Sequence, residues 1–288
     1  MSASIHFDGE IITSRQNRRI VELMKLDDRR TREKTRTFRF DGVKLLCEAI
    51  RRGVDLDSVF LRASTAERVA ERMRELYGYT LSDAGCPIFG VEDGLFEKIS
   101  QENAPDGVIT VAKYIDKSHN SIIIYMEDEN DAKKAAPLLL LESVRDPLNV
   151  GAIIRSAAAL GVGRIVMSAD CADVYHPRTL RAAMGPLFSM PITRVEDLAG
   201  TVTSLRASGR KIYAAALDGT AIRLGSDELS RDREGHPVGA VIGNEGHGLT
   251  EAVIAACDRS VYIPMEADTE SLNAGVAAAL IVWEMSKR

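Results

Sequence analysis

Arg155 is the residue whose type and setting first point to chemistry. It lies in VGAIIRSAAALG, where Ile153, Ile154, Ala157, Ala158 and Leu160 make most of a helix apolar and leave a guanidinium little solvated surface. Asn149 stands near the start of the same helix, directly after an apolar run at 138–141. As a cap or first-turn residue it would contribute about 1 kcal/mol and nothing more. A second group, Gly243-Asn244-Glu245-Gly246-His247-Gly248, ends a β-like run and opens a turn. Glycines there let the backbone approach a ligand closely or take positive φ. A third, Ile263-Pro264-Met265 and then Ser271-Leu272-Asn273, joins an apolar strand end to short polar residues. The set offers a cation, a carboxylate and small amide and hydroxyl groups, but no obvious covalent nucleophile. Cys47, Cys86, Cys171 and Cys257 are far apart, form no C-x-x-C pair and lie near no histidine cluster, so they read as reduced, mostly buried thiols and not as zinc ligands.

Taken in order within residues 137–288, the segments LLLLESVRDPLNVGAIIRSAAALGV, AVIGNEGHGL and VYIPMEADTESLNAG resemble the three motifs of the SpoU-type (TrmH-like) RNA ribose 2′-O-methyltransferases. The resemblance implies S-adenosylmethionine as cofactor, RNA as substrate, a homodimer built through the C-terminal domain, and a deep trefoil knot, an exception to the rule that chains do not thread themselves. It implies catalytic roles for Arg155, Asn149, Glu245, Ser271 and Asn273, and cofactor contacts at Leu217, Gly243, Ile263, Met265 and Leu272. Apolar walls with a few backbone groups suit an adenine and a methionine chain better than a polyphosphate. No metal is implied, and His247 is left as a bystander. The family usually continues Ser-Leu-Asn with Val-Ser, whereas this chain has Ala274-Gly275, which removes any hydroxyl role at position 275. For a guanidinium to act as a free base near neutrality, its ionisation must move by at least about five units, on the order of 7 kcal/mol. Stabilising a developing alkoxide needs no such shift, so electrostatic activation is the expected role.

The elements that must position these residues alternate apolar runs with helical stretches from Pro137 onward: PLLLLESV, VGAIIRSAAALG, RIVMSA, PRTLRAAMG, MPITRV, a helix ending at Gly209, KIYAAAL, VGAVIG, a helix from Leu249, SVYIPM and a closing apolar helix. Unalternating strands between helices predict an α/β fold with a parallel sheet covered on both faces. No G-x-G-x-x-G follows the first strand, so a dinucleotide site and a dehydrogenase reading are excluded. The N-terminal half reads as a smaller α/β unit: helices in ITSRQNRRIVELMKL and FDGVKLLCEAIRRG, strands at 58–63, 87–91 and 107–114, a helix over 66–77 and a short one at LFEKIS. That order resembles the ribosomal-protein-like substrate-binding domain of the same family. The expected division is an RNA substrate-binding domain at 1–115, a linker at 116–136 with a candidate strand at 122–126, and the methyltransferase domain at 137–288.

The 288 residues carry a net charge of −5, which alone argues against nucleic acid, yet the charge is unevenly spread. Between Arg15 and Arg52 thirteen Lys and Arg face six acids, a local excess of seven. This is a candidate phosphate-binding surface, with Arg29, Arg30 and Arg32 at its centre and Phe38 and Phe40 bracketed by basic residues. The alternative is a solvated helix face of i,i+4 ion pairs. No run of about 18 apolar residues could span a bilayer, and no basic start followed by an apolar stretch marks secretion, so a cytoplasmic protein is expected. Ribosomal RNA is favoured over transfer RNA because family members with a separate N-terminal domain commonly act there. A catalytically silent RNA-binding homologue is the remaining alternative.

Overall fold

A computed structural model describes residues 5–115, 136–266 and 271–287. The chain divides into two compact units, one of residues 1–115 with Tyr175–Leu180, the other of Asp116–Val174 with Arg181–Arg288. The candidate linker strand at 122–126 lies outside the described residues.

In the first unit α1 (Arg18–Lys25) and α2 (Arg29–Thr35) precede β1 (Thr37–Asp41), α3 (Val43–Arg51), β2 (Leu56–Arg62), α4 (Ala66–Tyr77), β3 (Ile88–Val91), α5 (Asp93–Ile99) and β4 (Val108–Lys113). The sheet order is β1-β4-β2-β3, with only β2 and β3 parallel. Ile20, Leu23 and Leu26 pack with Leu95, Phe96 and Ile99 onto Phe60, Phe89, Val91, Ile109 and Val111, so α1 and α5 cover one sheet face. Two elements depart from the sequence reading. The basic run forms a separate helix over Arg29–Thr35 capped by Asp28, and TFRFD, a short polar–apolar alternation, is a strand. Phe38 and Phe40 are fully buried core, not base-stacking platforms, and Arg39 between them is buried as well, donating to the Ile99 carbonyl at 2.6 Å and pairing with Asp27 at 3.3 Å.

The chain continues with β5 (Leu138–Leu141), α6 (Pro147–Ala159), β6 (Arg164–Ser168), α7 (Pro177–Ala183), β7 (Ile192–Val195), α8 (Leu198–Ala207), β8 (Lys211–Ala215), β9 (Ile222–Arg223), α9 (Asp227–Arg233), β10 (Val238–Ile242), α10 (Glu251–Ala256), β11 (Arg259–Tyr262) and α11 (Ala274–Ser286), all in the second unit except Pro177–Leu180 of α7. Every pairing in the second unit's seven-stranded sheet, ordered β7-β6-β5-β10-β8-β11-β9, is parallel. All four β5 leucines are buried, as a strand covered on both faces requires. One face packs against α8 and α10 through Leu138, Leu140, Val202, Leu205, Val241 and Val253. α11 lies against β10 and α6. The short β9 and α9 had no clear sequence signal, because IR and DELSRDR are too brief and polar for a periodicity to show.

Candidate active site at the carboxyl edge of the parallel sheet

β5 and β10 are neighbours, so the turn after β5 and the glycine-rich turn after β10 emerge side by side at the carboxyl edge of the sheet. Ligands of open α/β sheets bind at this edge, where strand order reverses. The helix after β5 opens on Asp146, whose side chain caps the Leu148 amide at 2.9 Å, with Pro147 in the first turn. Asn149 is therefore a first-turn residue, one of the two places expected for it, and not the cap. Its amide is released for another task, and Asp146-Pro147 was the sequence signal for the true cap.

That task is to join the three motifs. Asn273 caps α11 by accepting from the Gly275 and Val276 amides at 2.9 and 3.3 Å on Oδ1. Its Nδ2 is left to donate, and does so to Asn149 Oδ1 at 2.7 Å. Asn149 Nδ2 then donates to Glu245 Oε1 at 2.7 Å. The direction of each bond is fixed by the one before it, beginning from backbone N–H groups that can only donate. Asn149 is buried while Glu245 and Asn273 are exposed, so the chain runs from the interior to an open carboxylate.

Arg155 and Ser271 do not join this chain. The buried positions of α6, Val150, Ile153, Ile154 and Ala157, form one stripe, and Arg155 stands on the exposed side among Ala152, Ala158 and Ala159. The expectation that an apolar helix leaves the guanidinium little solvated surface is thereby corrected: small alanines, not bulky groups, line that side. Ser271 is exposed and makes no hydrogen bond among the described residues. His247 is exposed too, and only its backbone amide is engaged, by Asn244 Oδ1 at 3.2 Å.

The positions expected to meet a cofactor follow three adjacent strands. Gly243 comes after β10, Leu217 after β8, and Ile263 and Met265 after β11, with Leu272 just before the Asn273 cap. Leu217 is 82% exposed and Met265 43%, so two large apolar side chains stand uncovered at this edge. Apolar walls with half-exposed backbone at Gly243 fit an adenosyl and methionyl group in the chemistry of their donors. Gly243 owes its identity to the turn itself. A Cβ there would come within 2.5 Å of the Gly248 carbonyl oxygen and 2.7 Å of the Leu249 nitrogen. Gly275 lies close to α6, where a Cβ would sit 3.3 Å from that of Ala152.

The thiols are quiescent: burial pushes Cys47 and Cys86 up to about 11 and Cys257 to about 12, and raises Cys171. In the first unit Arg32 is corrected as a phosphate ligand. It is buried, and its guanidinium donates to the Leu26 and Asp27 carbonyls at 2.7 and 2.9 Å, closing the end of α1. Arg29 and Arg30 are exposed, Arg29 pairing with Glu33 at 2.7 Å.

Residues 136–283 match the SpoU rRNA Methylase family, and residues 17–110 match the MRM3-like substrate binding domain. This chain belongs to the SpoU methylase family. A 23S rRNA (guanosine(2553)-2′-O)-methyltransferase of Bacillus subtilis is 28% identical over 274 residues, covering 95% of this chain and 98% of that one. A crystallised rRNA methyltransferase of Sinorhizobium meliloti superposes with a TM-score of 0.77 at 25% identity, covering 96% of each chain. The SpoU methyltransferase AviRb of Streptomyces viridochromogenes, solved with AdoMet, gives 0.73 at 26% identity over 94% of this chain and 97% of that one. Among the described residues no helix is long and apolar enough to cross a membrane.

Proposed function

We propose that this SpoU-family chain transfers a methyl group from S-adenosylmethionine to a ribose 2′-hydroxyl of ribosomal RNA, working in the cytoplasm as a homodimer. The observation that carries the reading is the hydrogen-bonded chain from Asn273 through Asn149 to Glu245, which ties all three family motifs into one edge of the sheet. Relatives named as 23S rRNA 2′-O-methyltransferases support ribosomal RNA as the substrate class.

When bound, the cofactor supplies an activated methyl electrophile, which asks the protein mainly for alignment. Backbone at Gly243, Ile263 and Leu272, with the side chains of Leu217 and Met265, would hold it against the carboxyl ends of β10, β8 and β11. Arg155, on the open side of α6, stabilises negative charge as it develops on the ribose oxygen, and the proton leaves late or to water. Glu245 Oε2 makes no hydrogen bond among the described residues and is free to accept one from the substrate, while Asn149, itself held by Asn273, donates to the other oxygen. The exposed arginines of the first unit, Arg29 and Arg30 among them, contact phosphates and set register without taking part in chemistry.

Dimerisation is supported by α11, whose exposed side carries Val276, Leu280 and Trp283, 49%, 40% and 57% exposed, and by Leu148, 49% exposed on α6, the helix that packs against α11. Leu148 adjoins Asn149, so a partner covering this stripe would border the site. We also take the second unit to be knotted as a deep trefoil. β10 enters between β5 and β8, and the helix after β11 returns to β10 and α6.

The test is a transfer assay with methyl-labelled cofactor and whole ribosomal RNA, followed by digestion to nucleosides. Label in a 2′-O-methylnucleoside supports the proposal. Label confined to bases, or none transferred, refutes it.

A further inference from the structure

The glycine-rich turn that follows β10 is held from outside by two consecutive residues of β5's exit, and neither side chain reaches the Asn149 chain. Glu142 accepts from the Thr250 amide at 2.9 Å on Oε2 and from the Thr250 hydroxyl at 2.8 Å on Oε1. Thr250 is the cap of α10, so Glu142 fixes the point where the turn becomes helix. Ser143 holds the opposite end: its carbonyl accepts from Asn244 Nδ2 at 2.7 Å. The other end of that Asn244 amide, Oδ1, accepts from the Gly246 and His247 amides at 2.8 and 3.2 Å and so shapes the turn internally. Glu245 lies between these bonded positions, and its side chain is held separately by Asn149 at 2.7 Å.

Ser143 adopts φ of 54°, in the left-handed region that non-glycine residues rarely occupy. Such a conformation persists only where its surroundings impose it. Here they do. The Ser143 amide donates to Ser168 Oγ at 2.9 Å, its hydroxyl donates to Asp170 Oδ2 at 2.6 Å, and Ser168 Oγ donates to Asp170 Oδ1 at 2.6 Å. Arg145 adds a bond to Asp170 Oδ2 at 3.1 Å. Burial works to raise the Asp170 carboxyl, but these hydrogen bonds outweigh it and hold it down at about 2, so it remains an ionised acceptor.

We propose that Asp170 is a positioning residue for cofactor binding. Through Ser143 and Asn244, and together with Glu142 at the far end, it holds the Gly243–Thr250 turn in the shape that receives S-adenosylmethionine. It touches neither substrate nor cofactor and acts only through the turn. The inference rests on the methyltransferase reading above and assigns the regulation of its cofactor affinity to a carboxylate outside the three motifs.

The experiment measures S-adenosylmethionine affinity by calorimetry, with kcat and KM for cofactor, on the full-length chain. Asp170→Ala should raise the cofactor Kd and KM about tenfold, leave kcat at saturating cofactor within about twofold, and leave RNA affinity unchanged. Asp170→Asn, which keeps one acceptor oxygen, should recover part of the loss. Ser143→Gly is the second variant, since glycine accepts positive φ without strain and should not unfold the chain. It loses the hydroxyl bond to Asp170, and its Kd should also rise. Wild-type affinity in both Asp170→Ala and Ser143→Gly would overturn the proposal, as would equal losses in cofactor and RNA affinity, which mark a general structural role. A wild-type chain that binds no S-adenosylmethionine would instead overturn the methyltransferase reading itself, and this inference with it.

Discussion

Arg155 and Asn149 share one helix, yet the structure gives them different surroundings. Asn149 is enclosed and spends both ends of its amide on motif residues, whereas Arg155 is exposed and makes no hydrogen bond to them among the described residues. A cation held at the open side serves an incoming ribose better than a cofactor lying against the strand ends. Replacing it with alanine should lower kcat by roughly 100- to 1,000-fold, the usual cost of removing one preorganised electrostatic stabiliser. The cofactor Kd should stay within a few-fold by calorimetry, and near-normal turnover would defeat the assignment. Arg32 illustrates the opposite lesson. Arg29, Arg30 and Lys34 of the same helix are exposed, but Arg32 bonds two carbonyls from a buried position. Arg32→Ala should therefore cost about 2 kcal/mol of stability in denaturant unfolding, since buried acceptors lose a charged partner. Arg29→Ala with Arg30→Ala should instead leave stability nearly unchanged and flatten the salt dependence of RNA binding by up to about two units of slope. Weakened RNA binding by Arg32→Ala with stability unchanged would contradict its assignment to the core.

At the scale of elements, the long apolar runs were legible and the brief polar ones were not. The β5 leucines and the α11 stripe announced buried strand and apolar helix because each repeats one signal several times. β1 alternates polar and apolar residues, as a strand does, but its burial on both faces could not be read from that pattern, because Arg39 is enclosed through Asp27 and the Ile99 carbonyl, partners from other elements. The bonds from Glu142 and Ser143 to the glycine turn were hidden for the same reason: their partners lie about a hundred residues further along the chain. The motif residues themselves were visible, but sequence could not reveal that Asn149, Glu245 and Asn273 are linked while Arg155 and Ser271 stand apart. Gly243 belongs to this scale, because its constraint comes from the returning backbone of its own turn. Gly243→Val should distort that turn and raise the cofactor Kd at least tenfold, about 1.4 kcal/mol. Unchanged affinity by calorimetry would show that the turn does not shape the cofactor site.

For the whole molecule, the parallel sheet brings motifs separated by more than a hundred residues to one edge, and α11 leaves an apolar stripe uncovered beside them. Leu280→Asp with Trp283→Asp should put charge into that stripe and convert a dimer to a monomer by light scattering at micromolar concentration. Methyl transfer should fall with it, because the site borders the proposed interface. A wild-type chain that is already monomeric would contradict the dimer. The central claim is that the chain places a methyl group on a ribose of ribosomal RNA, with Arg155 as the activating cation. It is tested most directly by mass spectrometry of ribosomal RNA from a wild-type strain, a deletion strain, and the deletion strain carrying either the wild-type chain or Arg155→Ala. The account predicts one 2′-O-methylnucleotide that disappears on deletion, returns with the wild-type chain and stays absent with Arg155→Ala. Identical ribose methylation in all four strains would contradict it.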